Sequence, residues 1–309
     1  MHTDGASNVT LTGGGVIDGN GAGWWKCFTH NRTLPPCGDA SGTFHSRPHL
    51  IMVVRSRDVK MTNLTVRDSP NWTLHFAMVK GLLVANLSVH NPGSAPNADG
   101  LDLDCTQDAV VEDNYFSVGD DAMCVKSGID YLGRAFGEPS RDIVFRRNTI
   151  GTGHGITVGS EMSAGVANVT FEDITMDQTG TGIRLKSQRG RGGVVSGVTY
   201  RNIHMRSIAG ECVQVTLNYH SGLAPTNATA TPVFRDLVFE NVLCERGGAS
   251  YFLDGLPEQS ILNLSLVNVT MGAKVGKEAA CRHVVCSCDA LTAPCPSCCT
   301  KAGPAALEA

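Results

Sequence analysis

Aromatic residues are scarce in this 309-residue chain, at 6%, and charged residues supply only 17% of it. Charge that sparse is poor material for a coiled coil or for a disordered tail. The formal net charge of −4 gives the molecule no electrostatic reason to seek nucleic acid. No uninterrupted apolar run approaches the roughly 18 residues a membrane-spanning helix needs. A cleavable apolar leader is also missing, because Met1-His2-Thr3-Asp4-Gly5 is polar. The chain opens inside its first repeat, and the reading is that a start segment is missing.

Glycine, by contrast, is abundant, at 35 residues, which suits many short strands joined by turns. Cysteine is abundant too: Cys27, Cys37, Cys105, Cys124, Cys212, Cys244, Cys281, Cys286, Cys288, Cys295, Cys298 and Cys299. An even count with a dense terminal cluster argues for disulfides and an oxidising compartment. Cys295-Pro-Ser-Cys298 has the C-x-x-C spacing of a zinc site, but the cluster has no second such pair. No metal or cofactor is expected. N-x-[ST] sequons at Asn8, Asn31, Asn63, Asn71, Asn86, Asn168, Asn227, Asn263 and Asn268 fit a secreted glycoprotein. The same pattern also arises where a turn asparagine precedes a threonine-rich strand.

One unit recurs. It opens at Asn8, Asp58, Gly81, Asp108, Asp142, Asn168, Gly197, Asp236 and, last, Ser260. Each unit alternates apolar and polar residues, breaks at a polar turn residue, then resumes with an apolar pair. Alternation with period two means strand. From residue 58 the steps are 23, 27, 34, 26, 29, 39 and 24 residues, the mark of a solenoid with tolerated insertions. The expected fold is all-β: a right-handed parallel β-helix over residues 1–275, with a Cys-rich cap or tail over 276–309. Leu64 and its equivalents Leu87, Asn114, Asn148, Ile174, Ile203 and Val242 are expected to point inward. Residues 19–50, 128–141 and 218–234 interrupt the rhythm as loops positioned to shape a cleft.

Asp99 and Asp121 are 22 residues apart, close to one coil, so they are expected to lie one above the other, with Asp120 beside them. Unpaired carboxylates this close retain at least one proton near neutrality. Glycoside hydrolysis needs that arrangement: a protonated acid for the leaving oxygen and an ionised base for water. His154 follows Asp121 by 33 residues, about one coil once the 128–141 loop is discounted. Its flanking Gly153 and Gly155 suggest room for a ligand. Arg184 and Lys186 come 30 and 32 residues after His154, and period two puts them on one face. Beside an acid cluster they have two uses, gripping an anionic sugar or pairing with Asp99 or Asp121.

Asn97-Ala98-Asp99-Gly100, Gly119-Asp120-Asp121, Gly153-His154-Gly155 and Arg184-Leu185-Lys186 together resemble the four signature segments of polygalacturonases, glycoside hydrolase family 28. Supporting matches are Gly15-Val16-Ile17-Asp18-Gly19 with Trp24-Trp25, Arg47-Pro48, Ser69-Pro70-Asn71-Trp72 and Lys126-Ser127-Gly128. The likeness implies the β-helix and inverting hydrolysis of α-1,4-galacturonosidic bonds in pectin or polygalacturonate. It maps Asp120 to the general acid, Asp99 and Asp121 to water activation, and His154 to assisting the acid. Arg184 and Lys186 map to the substrate carboxylate grip, with Tyr219 and Asn97 as further substrate contacts. Two departures stand out, Ala98 where relatives carry Thr and Ala122 where they often carry Cys. The implied protein is a secreted or cell-wall monomer whose partner is an acidic polysaccharide, with neither membrane nor nucleic acid. Endo or exo attack falls to the three loops. Rival readings are another pectin-backbone hydrolase of the family (exo-galacturonosidase, xylogalacturonan or rhamnogalacturonan hydrolase), a calcium-dependent pectate lyase, and a non-catalytic wall-binding β-helix.

Overall fold

The computed structural model describes residues 1–30, 35–39, 43–219 and 230–301. Every ladder between its named strands is parallel, and strands inside the stack pair with the strand one coil earlier and one coil later. This is a right-handed parallel β-helix. Two short helices, Ala22–His30 and Asp130–Phe136, interrupt it. No described helix is long and apolar enough to cross a membrane.

The polar turn residues explain how each coil bends. Asp58, Asp108, Asp142, Asn168 and Asp236 all have φ between 52° and 59°. So do Asn63, Asn86, Asp113, Asp173, Asn202 and Asn241, five residues later in their units. Left-handed backbone is tolerated by Gly, Asn and Asp and disfavoured for most other side chains. The same amides then stitch neighbouring coils together. Asn86 donates to Asn63 at 2.7 Å, Asn168 to Asp142 at 2.7 Å, and Asn268 to Asn241 at 2.8 Å. Sequon residues Asn8, Asn63, Asn86, Asn168, Asn263 and Asn268 are all such turn positions. Asn31 and Asn227 lie outside the described residues.

The ladder also corrects the last repeat. Arg235 pairs with Leu262 and Leu237 with Leu264, so Asn263, not Ser260, is the equivalent of Asp236. Apolar residues on both sides of Asn263 hid the register.

Leu64, Leu87, Asn114, Asn148, Ile174, Ile203 and Val242 are all buried, as their periodicity requires. The two inward amides run along the stack. Asn114 Oδ1 accepts from Leu87 N–H at 2.9 Å, Asn114 Nδ2 donates to Asn148 Oδ1 at 2.9 Å, and Asn148 Nδ2 donates to Val111 C=O at 2.9 Å. A column of rings fills another inward line: Phe145, Phe171, Tyr200 and Phe239 stack at 4.5, 5.0 and 5.0 Å. Four of the few aromatics thus pack ring on ring from coil to coil.

Five disulfides form: Cys27–Cys37, Cys212–Cys244, Cys281–Cys298, Cys286–Cys299 and Cys288–Cys295. Cys105 and Cys124 remain free and buried. Cys124 pairs in the ladder with Asp102, three residues short of Cys105, so the two thiols are out of register. Part of the Cys-rich tail also alternates. Val284–Cys288 continues the stack, with Cys286 and Cys288 buried opposite Leu264 and Leu266. Cysteine takes the inward role that the alternation normally gives to Val or Leu.

The 19–50 loop holds helix Ala22–His30, stapled to Cys37 through Cys27 and anchored by Trp25 Nε1 donating to Ser69 C=O at 2.8 Å. Half of the 128–141 loop is helix Asp130–Phe136. Of the 218–234 loop, residues 220–229 lie outside the described set.

Candidate active site

Five successive strands carry the site: Leu74–Ala77, Leu101–Asp104, Asp121–Lys126, His154–Gly159 and Ile183–Lys186. Asp121 pairs directly with His154. Gly100 N–H donates to Asp121 C=O at 2.9 Å, and Leu101 pairs with Met123, so Asp99 stands one coil before Asp121. Thr157 pairs with Arg184 and Gly159 with Lys186. Each of Asp99, Asp120 and Asp121 offers a carboxylate oxygen within 4.8 Å of the others. Asp99 and Asp121 are buried, whereas Asp120 is half-buried.

The acids differ sharply in surroundings. Burial and the neighbouring Asp102 charge push the Asp99 carboxyl well above the usual carboxylate range. Its Oδ1 is buried without a hydrogen-bond partner. Burial would raise Asp121 too, but Lys186 and Arg184 reverse it and hold Asp121 ionised far below that range. Lys186 Nζ sits 2.7 Å from Asp121 Oδ2, Arg184 Nη1 3.2 Å from Oδ1, and Thr157 Oγ1 donates to Oδ1 at 2.9 Å. Of the two uses open to Arg184 and Lys186, pairing with Asp121 is realised here. Arg184 Nε also donates to Gln214 at 2.9 Å. Burial and the Arg184 charge lower His154, which favours its neutral imidazole, and its buried Nδ1 has no hydrogen-bond partner.

The glycines around His154 serve packing rather than ligand access. A Cβ on Gly153 would lie 2.5 Å from the Asp120 carbonyl oxygen, and one on Gly155 would collide with that of Gly182. Gly153 also has φ 109°, outside ordinary L-residue backbone. Tyr219 lies beside the cations, its ring centroid 5.5 Å from Arg184 Cζ and 5.3 Å from Lys186 Nζ. Asn97 is exposed and left-handed at φ 52°, and its Oδ1 accepts from Arg47 Nη2 at 2.7 Å.

Sequence reasoning missed a buried set beyond the acids. Lys126 Nζ lies 3.5 Å from Asp102 and 3.2 Å from Glu161. Asp102 is raised to about 7 by burial, against the pull of Lys126 and His75. The ladder pairs Asp102 with Cys124 and Cys124 with Thr157. Aligning the repeats through these outward-facing columns, rather than through the turn residues, would have found Asp102, Lys126 and Thr157.

The fold is thus a parallel β-helix that gathers three carboxylates beside a histidine and two cations. Residues 1–293 match the model for glycosyl hydrolases family 28, and the chain belongs to that family. It is 33% identical over 269 residues to a probable polygalacturonase of Vitis vinifera, an alignment covering 86% of this chain and 52% of that protein. It is 29% identical over 273 residues to an endo-polygalacturonase of Pectobacterium parmentieri, covering 86% of this chain and 63% of the relative. The chain thus spans about half to two-thirds of the length of these relatives. A hyperthermoactive exopolygalacturonase of Thermotoga maritima shares the fold, with a TM-score of 0.79 at 23% identity over 97% of this chain and 71% of that one.

Proposed function

We propose that the protein hydrolyses α-1,4-galacturonosidic bonds of pectin or polygalacturonate with inversion. The observation that carries this is the gathering of Asp99, Asp120 and Asp121 within 4.8 Å, next to His154 and two cations. Asp120, the half-buried member, protonates the leaving oxygen. Asp121, locked between Arg184 and Lys186, is a poor proton acceptor and serves to orient water. Asp99, whose proton affinity is raised, is the better acceptor once ionised and takes the proton from water. Neutral His154, beside Asp121 and hydrogen-bonded through its backbone to Asp120, assists the acid. Arg184, Lys186 and Tyr219 meet a sugar carboxylate on one side of the cut, and Asn97 lies at the rim. The disulfides fit an extracellular or cell-wall location.

Digestion of polygalacturonate in excess chelator tests this against a calcium-dependent lyase. The expected result is steady release of reducing ends with no gain in ultraviolet absorbance from unsaturated ends. Loss of activity under chelation, or unsaturated products, overturns the reading.

A further inference from the structure

Arg184 stands in an outward-facing column between two uncharged side chains, Thr157 one coil before it and Gln214 one coil after. Val213 and Val215 are buried, so period two turns Gln214 outward beside Arg184. Gln214 is half-buried, and its Oε1 accepts from Arg184 Nε at 2.9 Å. A guanidinium N–H can only donate, so the amide oxygen faces it and the amide NH2 is turned away. That NH2 has no hydrogen-bond partner among the described residues, and it is not sealed from solvent.

Arg184 has one nitrogen left over. Nε goes to Gln214, Nη1 lies 3.2 Å from Asp121, and the Tyr219 ring centroid lies 5.5 Å from Cζ. Nη2 has no hydrogen bond among the described residues. Asp121 has closer donors than Arg184, namely Lys186 at 2.7 Å and Thr157 at 2.9 Å. The local charge is positive. Arg184 and Lys186 share one ion-paired carboxylate, Asp121. Asp120, which also acts on Arg184, holds a proton in its proposed role as the acid. His154 favours its neutral form. Glu211, on the strand of Gln214, makes no ion pair with either cation. Lys126 is taken up by Asp102 and Glu161.

Resting on the function proposed above, we propose that Gln214 is a specificity-determining residue of the carboxylate grip. Its oxygen fixes the guanidinium, and its NH2 joins Arg184 Nη2 as a donor to the free carboxylate of a galacturonosyl residue. Being uncharged, Gln214 orients Arg184 without spending that cation's charge. A glutamate in its place would offer Arg184 the same oxygen but repel the sugar carboxylate.

The test is kinetics on unesterified galacturonate oligomers, with melting temperature measured in parallel. Gln214→Glu keeps an acceptor for Arg184 Nε, so its melting temperature should hold or rise. Its KM should nonetheless rise roughly tenfold, with a smaller change in kcat. Gln214→Met removes both the acceptor and the donor but adds no charge, and its KM should rise only about threefold. A purely structural Gln214 gives the reverse order, with Glu harmless and Met the worse variant. That order, or a Gln214→Glu KM within about twofold of wild type, overturns the inference alone. Failure of the wild type to cut the oligomers overturns the proposed function and this inference with it. If Gln214→Glu does not fold, Gln214→Met decides. A raised KM at an unchanged melting temperature supports the inference. An unchanged KM, or one that rises only with lost stability, overturns it.

Discussion

Lys186 Nζ lies 2.7 Å from Asp121 Oδ2, although 65 residues separate them, because the coil of His154–Gly159 stacks between their strands and holds both in register. The contact leaves a buried carboxylate ionised and its neighbour Asp99 as the acid with a raised proton affinity.

Lys186→Met should remove one of the two cations on Asp121 and leave a buried charge under-compensated. Stability is expected to fall by about 3 kcal/mol, read as a lower melting temperature, and kcat/KM to fall with it. Unchanged melting would show that Arg184 alone carries Asp121.

Asp102→Asn removes the nearby charge that raises Asp99. A lower Asp99 proton affinity means that it ionises at lower pH. The acid limb of the kcat/KM profile should therefore move to lower pH, because Asp99 works ionised. A limb that stays fixed would remove Asp99 from the base role.

The turns, the inward positions and the one-coil spacing of Asp99, Asp121 and His154 were all legible in the sequence. Turn chemistry and period-two alternation are local, and stacking turns local repeats into contacts. The missed features depend on coils meeting side by side. Nothing local shows that Arg184 pairs with Asp121, 63 residues earlier in the chain. Gly155 reads as open space until the Gly182 carbonyl is seen against it. Cys286 and Cys288 interrupt an apolar count although they face inward. Lys126 looks like a surface lysine until Asp102, Glu161 and the Trp72 ring surround it.

Asn114→Ala should cost about 2–3 kcal/mol, since it strips partners from Leu87 N–H and Asn148 inside the stack. The loss should appear in the melting temperature with kcat unchanged. A neutral result would mean that the amide column contributes no net stability.

The stereochemistry of the cut is a sharp check on the roles. The nearest acid oxygens lie within 4.8 Å, shorter than the roughly 6.5–9.5 Å carboxyl separation usual for inversion. The three-acid assignment, with water between Asp99 and Asp121, nevertheless predicts inversion. Nuclear magnetic resonance of the first-formed product should show the β-anomer, and an α-anomer would require a covalent intermediate on one of these aspartates.

The most direct measurement is the rate of Asp120→Asn on polygalacturonate, with binding of the polymer measured in parallel. The expected result is a loss of several orders of magnitude in kcat while binding survives. A variant within about tenfold of the wild-type rate would contradict the assignment of Asp120 as the acid and, with it, the chemistry built on this cluster.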